Sequence, residues 1–189
     1  MGRPMKFEPD EAVDKAVDLF WRQGYSGTTP VELVNELGIG KGSLYRSFES
    51  KRHLFGLALR RYATERLDSL AEGLAGDGPM RPRVRAAVER LSGAGAHERG
   101  CFLVNAIAEL GQVDESVAAT AGDVFDGIET AFRDAIERGR DSGEFRSDRP
   151  AGETASSLLA TVVGLSVLAK TRSDPARLAR IVDSAVNGL

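Results

Sequence analysis

Two stretches decide the fold: Gly24-Tyr25-Ser26-Gly27-Thr28-Thr29-Pro30-Val31-Glu32-Leu33, and Gly38-Ile39-Gly40-Lys41-Gly42-Ser43-Leu44-Tyr45-Arg46-Ser47-Phe48. Thr29 can cap a helix, Pro30 suits its first turn, and Glu32 completes a capping box. That helix runs to Leu37. Gly38-Ile39-Gly40 makes a tight turn, and a second short helix spans Lys41 to Phe48. Two short helices joined by a Gly-containing turn form a helix-turn-helix. In such a unit the second helix turns its N-terminal residues toward the DNA major groove and buries its other face. Leu44 and Phe48, four residues apart, supply the buried face.

Lys41, Gly42, Ser43, Tyr45, Arg46 and Ser47 are left facing outward. Lys41 and Arg46 can meet phosphates or guanine edges, and Gly42 lets the backbone come close to DNA. Thr28 and Thr29 stand where a helix N-terminus attracts anions, so their hydroxyls can reach phosphate. Lys51, at the start of the next helix, can do the same. Arg3, in Gly2-Arg3-Pro4, reads either as a minor-groove arm or as an uninvolved terminus.

Helical periodicity extends in both directions. Upstream, Val13, Ala16, Val17, Phe20 and Trp21 share one helical face, with Pro9 near its start and Gly24 past its end. Downstream, Ser50 caps a long helix running to about Leu74. Gly73, Gly76, Gly78 and Pro79 mark the clearest break in the chain. Further helices are expected over about Arg83–Leu91, Cys101–Leu110, Glu115–Arg140, Ala151–Lys170 and Pro175–Gly188. No strand-like alternation occurs, so the fold class is all-α, with about nine helices. Residues 1–50 form the helix-turn-helix domain, and residues 51–189 a helical effector-binding and dimerisation domain.

Composition fits this reading. The chain has 189 residues, enough to bury about two-thirds of its unfolded surface without a metal or disulfide staple. An apolar fraction of 42% with 28% charged residues is that of a soluble globular protein. No uninterrupted apolar run reaches the roughly 18 residues of a membrane span, the N-terminus lacks a signal-peptide stretch, and the lone Cys101 can form no internal disulfide. A cytoplasmic protein is expected. Residues 1–66 carry 11 Lys+Arg against 9 Asp+Glu, whereas residues 67–189 carry 14 against 19. The sign of that asymmetry favours a polyanion partner for the first third only. No catalytic triad, phosphate loop or His-x-Glu motif stands out, so an enzyme is not expected. Cys101, His53 and His97 are too scattered for a tetrahedral metal set, and no cofactor is implied.

Residues 24–55, through Ser50-Lys51-Arg52-His53-Leu54-Phe55, resemble the DNA-binding domain of the tetracycline-repressor (TetR/AcrR) family. The shared pattern is Gly-aromatic, Thr-Thr, an aliphatic helix, Gly-Ile, Lys-Gly-x-Leu-Tyr-x-x-Phe and Lys-x-x-Leu. Ser47 departs from it where many members carry His or Tyr, and Gly40 where Ser is common. Gly100-Cys101-Phe102-Leu103-Val104-Asn105 is similar to a subgroup with a Gly-Cys-x-Leu-x-Asn segment. The resemblance implies a homodimeric transcriptional regulator, most simply a repressor. It would bind a near-palindromic operator in double-stranded DNA and respond to a small-molecule effector, with no membrane partner. The pocket is expected among Leu59, Tyr62, Val88, Cys101, Phe102, Asn105, Val124 and Phe125. The last two helices are expected to form the dimer interface, with Leu158, Val162, Leu165, Leu168 and Ile181 at the seam.

Two alternatives stand beside this reading. A thiol at a helix N-terminus gains thiolate character, so Cys101 can be a redox or electrophile sensor; equally, it can be a small packing residue. Residues 1–50 are close to neutral, so the helix-turn-helix can also be an interaction module that does not bind DNA.

Overall fold

The computed structural model describes residues 8–93, 99–146, 148–171 and 174–189. Among these lie nine helices: α1 (Pro9–Gly27), α2 (Pro30–Leu37), α3 (Lys41–Phe48), α4 (Lys51–Ala75), α5 (Met80–Ser92), α6 (Phe102–Leu110), α7 (Glu115–Asp141), α8 (Ala151–Leu168) and α9 (Pro175–Asn187). The all-α expectation holds. Two boundaries moved for local reasons. α5 begins before Arg83 because Pro82 falls in its first turn, where its missing N–H costs nothing. Glu144 then serves as that turn's cap, accepting from the amides of Met80 and Arg81 at 2.6 Å each. α1 resumes for one turn beyond Gly24, whose φ of 75° and ψ of 175° break the helix.

α1, α2 and α3 form a small head. α4 leaves it and runs into the body, where it packs on α5 and α7. α8 lies mainly against α7 and α5, and α9 closes over α5 and α8. One continuous core spans head and body. Its densest part is aromatic. Phe55 of α4 meets Phe20 of α1 edge-to-face at 5.0 Å, Tyr25 at 5.1 Å and Phe102 of α6 at 5.6 Å. Tyr62, two turns further along α4, meets Phe102 at 5.6 Å and Trp21 at 5.2 Å. Edge-to-face pairs fix ring orientation as well as burying area. Head, α4 and α6 are therefore held at a defined angle.

α8 corrects two expectations. As a whole it is 18 residues long with a mean hydropathy of 1.4, long and apolar enough to span a membrane by composition. It is instead a core helix on one side: Ala151, Ala155, Leu158, Val162 and Leu165 form a buried stripe. Leu158, Val162 and Leu165 therefore pack inside this chain and are not free to face a second copy. Their spacing of three and four residues places them on the side that α5 and α7 cover. Leu168 and Ile181 are only half-buried. The opposite stripe of α8 holds the exposed Ser157, Ala160, Gly164 and Val167.

Phe55 is 2% exposed and touches three other aromatic rings. Phe55→Ala should destabilise the fold by about 3–5 kcal/mol, read as a lower denaturant midpoint.

Candidate nucleic-acid interface

The helix-turn-helix is built as its residues dictate. Thr29 caps α2: its hydroxyl accepts from the Glu32 amide at 3.2 Å, and the Glu32 carboxylate accepts from the Thr29 amide at 2.7 Å. The Thr29 amide, and after it the Thr29 hydroxyl donating at 2.8 Å, hold the Glu32 carboxyl below its usual range. Gly38 ends α2 in the left-handed region at φ 67°, which a glycine adopts without a Cβ penalty. Gly40 then precedes α3. Leu44 and Phe48 are buried as expected, at 4% and 3% exposure. At the far end of α3, Glu49 has φ 58° and ψ −54°, and the Ser50 amide donates to the Phe48 carbonyl at 2.5 Å. This is a γ-turn with a non-glycine residue at positive φ, a strained way to reverse the chain. Ser50 follows as the N-cap of α4, accepting from the His53 amide at 3.0 Å.

The outer face of α3 carries Lys41, Gly42, Tyr45 and Arg46, all exposed, with Ser43 and Ser47 half-buried beside them. Neither Lys41 nor Arg46 forms an ion pair among the described residues. Nearby arginines do: Arg22 with Asp18 and Glu36, Arg61 with Asp10 and Asp14, Arg52 with Asp114. A Cβ at Gly42 would meet nothing within 4 Å, so no internal contact requires glycine there.

Two of the expected DNA contacts are placed otherwise. Thr28 is fully buried, and its hydroxyl donates to the Gly24 carbonyl at 2.7 Å, closing the corner between α1 and α2. Lys51 is half-buried; its ammonium donates to the Thr28 carbonyl at 2.7 Å and lies 4.1 Å from the Tyr25 ring centroid. Both therefore position the head. Arg3 lies outside the described residues.

The head is tied to the body by polar contacts that sequence spacing could not signal. Trp21 Nε1 donates to the Gly100 carbonyl at 3.1 Å, and Arg99 pairs with Asp18 at 2.5 Å. Arg52 of α4 reaches Asp114 at 2.9 Å. Hydrogen bonds from Ser116, ahead of the Arg52 contact, lower the Asp114 carboxyl even against its burial. Glu109 of α6 accepts from the Tyr25 amide at 2.9 Å and the Ser26 amide at 2.6 Å.

The expected pocket residues separate into three groups. Tyr62, Cys101 and Phe125 line an apolar cleft together with Arg66, Leu103 and Val163. The cleft holds about 20 Å³, room for about one water. Leu59, Val88, Phe102 and Val124 are core residues, at 1%, 0%, 1% and 3% exposure. Asn105 faces a different groove, between α1 and α6, where its amide donates to the Arg99 carbonyl and its oxygen accepts from Lys170. Cys101 is half-buried at the start of α6. The Tyr62 hydroxyl donates to its sulfur at 3.8 Å and accepts from the Phe102 amide at 3.4 Å. Burial, and after it the neighbouring thiol, pushes the Tyr62 phenol up, so it stays a neutral donor. Gly100 belongs here for steric reasons: at φ 66°, its Cβ would sit 2.6 Å from the Ser166 carbonyl of α8.

This geometry defines a class, a helix-turn-helix head on a helical body. Two family models match the chain: bacterial regulatory proteins of the tetR family over residues 12–58, and the tetracyclin repressor-like C-terminal domain over residues 79–185. The chain belongs to the TetR family of transcriptional regulators. It is 27% identical over 195 residues to the uncharacterised HTH-type transcriptional regulator YezE of Bacillus subtilis, with 100% of both chains covered. It is 28% identical over 137 residues to the HTH-type transcriptional repressor BdcR of Escherichia coli, covering 72% of this chain and 70% of that one. Among solved structures, the TetR family regulator CifR, a cysteine mutant complexed with a 26-bp double-strand operator DNA, aligns with a TM-score of 0.83. That alignment has 29% identity and covers 98% of each chain.

A pH dependence follows from Asp114 and Glu109, whose carboxyls ionise more readily than ordinary ones. A carboxyl lowered by folding stabilises the fold fully above its unfolded pKa and loses that contribution as pH falls through the folded value. The denaturant midpoint should therefore fall from about pH 5 to pH 3. Asp114→Asn should flatten part of that fall.

Proposed function

We propose that this protein is a homodimeric, sequence-specific DNA-binding repressor, released from its operator by a small-molecule effector. The observation that carries this reading is the outer face of α3. It holds two cations that no carboxylate among the described residues neutralises, an exposed tyrosine, and a glycine that internal packing does not require. The operator complex of CifR supports it. Two such heads would enter successive major grooves about 34–36 Å apart. The exposed stripe of Ser157, Ala160, Gly164 and Val167 on α8 is the face on which a second copy fits, with Leu168 and Ile181 at its edge; the small side chains allow close helix approach. Such a regulator works in the cytoplasm, where its DNA is.

Selection of bound fragments from random and genomic DNA should return a near-palindromic site of one to two helical turns. No enrichment from a folded dimer would overturn the reading and favour an interaction module. On the selected site, Arg46→Ala and Lys41→Ala should each cost about 1–3 kcal/mol if they touch bases, or lower the salt slope by about one per head if they touch phosphates. Gly42→Ala should leave thermal stability equal or slightly higher, since alanine is the better helix former, while weakening the operator complex.

The effector cleft is the one lined by Tyr62, Cys101 and Phe125, which would have to widen around a ligand. The narrowness of that cleft favours a second reading, in which the signal is covalent modification of Cys101 on its wall. A thiol-reactive maleimide should then release the operator from the wild-type protein and leave Cys101→Ser bound. Equal behaviour of the two proteins returns the signal to a non-covalent ligand.

A further inference from the structure

Gly24 breaks α1 at φ 75° and ψ 175°, and the helix resumes for one turn at Tyr25. A break of this kind frees backbone amides that need acceptors. Two such amides are those of Tyr25 and Ser26. Their acceptor is the carboxylate of Glu109, in the last turn of α6, at 2.9 and 2.6 Å. One carboxylate oxygen serves each amide, so the group caps the turn from another element more than eighty residues away.

A second observation points the same way. A Cβ on Gly24 would lie 2.9 Å from Glu109 Oε2, so carboxylate and backbone are in direct contact. Immediately beyond the capped turn, the Thr28 hydroxyl closes back on the Gly24 carbonyl, and Thr29 caps α2. The direction in which α2 and α3 leave the body is thus set at this corner. The opposite end of α6 starts at Cys101, on the cleft wall, and is fixed to the head through Gly100 and Trp21. α6 is about 13 Å long, a rigid rod between the cleft and the corner.

We propose that Glu109 is the positioning residue through which α6 sets the angle of the DNA-reading head. This rests on the DNA-binding reading above. Movement of α6 at its Cys101 end shifts the carboxylate, releases the Tyr25 and Ser26 amides, and lets α2 and α3 swing. Partial burial pushes the Glu109 carboxyl up, but hydrogen bonds from the Ser26 hydroxyl and the two amides outweigh it. A carboxyl lowered in this way is anionic at neutral pH, so its hydrogen bonds there are charge-assisted.

The test compares wild type, Glu109→Gln and Glu109→Ala. Glutamine keeps the shape but turns an NH2 toward one of the two amides. Operator Kd should rise about tenfold in both variants at a temperature where all are folded. Affinity for random-sequence DNA at low salt should stay at the wild-type value, because Lys41 and Arg46 are untouched. A merely structural role would lower the melting temperature and leave that specificity ratio alone. Gly24→Ala should give the same loss, and Gly24→Ala combined with Glu109→Ala should be no worse than Gly24→Ala alone, because both changes remove one contact. Operator affinity within twofold of wild type in Glu109→Gln would overturn the proposal. Amide exchange decides independently of DNA: Tyr25 and Ser26 should lose protection in Glu109→Ala while α7 keeps its own, and unchanged exchange at those two amides would also overturn it. A wild-type protein that selects no operator would instead count against the DNA-binding reading, with the exchange result still deciding the role of Glu109 at the corner.

Discussion

The structure depends on the edge-to-face contact of Phe55 with Phe20, Tyr25 and Phe102. One ring of α4 touches two rings of α1 and one of α6. Dispersion and apolar burial there act at short range and favour one arrangement, because a close-packed core does not deform continuously. α4 therefore belongs equally to head and body. Polar contacts between them surround this junction, at the start of α6, at its end, and at the base of α4.

Local contacts divide the cations in and around the head into two kinds. Arg22, Arg52 and Arg61 are neutralised by carboxylates, and Lys51 is spent on a carbonyl and an aromatic face. Lys41 and Arg46 are not. A region close to neutral overall can thus present a locally positive face, because Asp10, Asp14, Asp18 and Glu36 pair with other arginines. That arrangement meets the electrostatic demand of a phosphate backbone without a basic composition.

The cleft at Cys101, Tyr62 and Phe125 is nearly closed, and its apolar lining gives it no reason to hold water. A ligand that opened it would push on α6 and α4 together, since both contribute to its wall. Coupling to the head then needs only that the ligand bind the displaced arrangement better than the seated one.

Local physics made much of this legible in the sequence. Thr29, Glu32, Gly38 and the spacing of Leu44 and Phe48 specify the helix-turn-helix through caps, a left-handed glycine and a helical stripe, all acting within a few residues. The long helices followed from periodicity in the same way. What sequence alone left open was which side of an apolar helix meets which neighbour. α8 carries apolar residues on several sides, so spacing alone makes Leu158, Val162 and Leu165 candidates for a dimer seam, whereas they are buried within this chain. The hydroxyl of Thr28 and the ammonium of Lys51 had two available uses, solvent-side phosphate or an internal carbonyl, and only the folded corner selects between them. The distant contacts of Glu109, Asp114 and Trp21 carried no local signal, because those partners lie far away in the chain and meet them only when it folds. The sequence by itself determined the elements and the outward face of α3. The tertiary structure decided what holds that face in place, because hydrogen bonds and ring contacts between distant residues exist only once the chain has closed on itself.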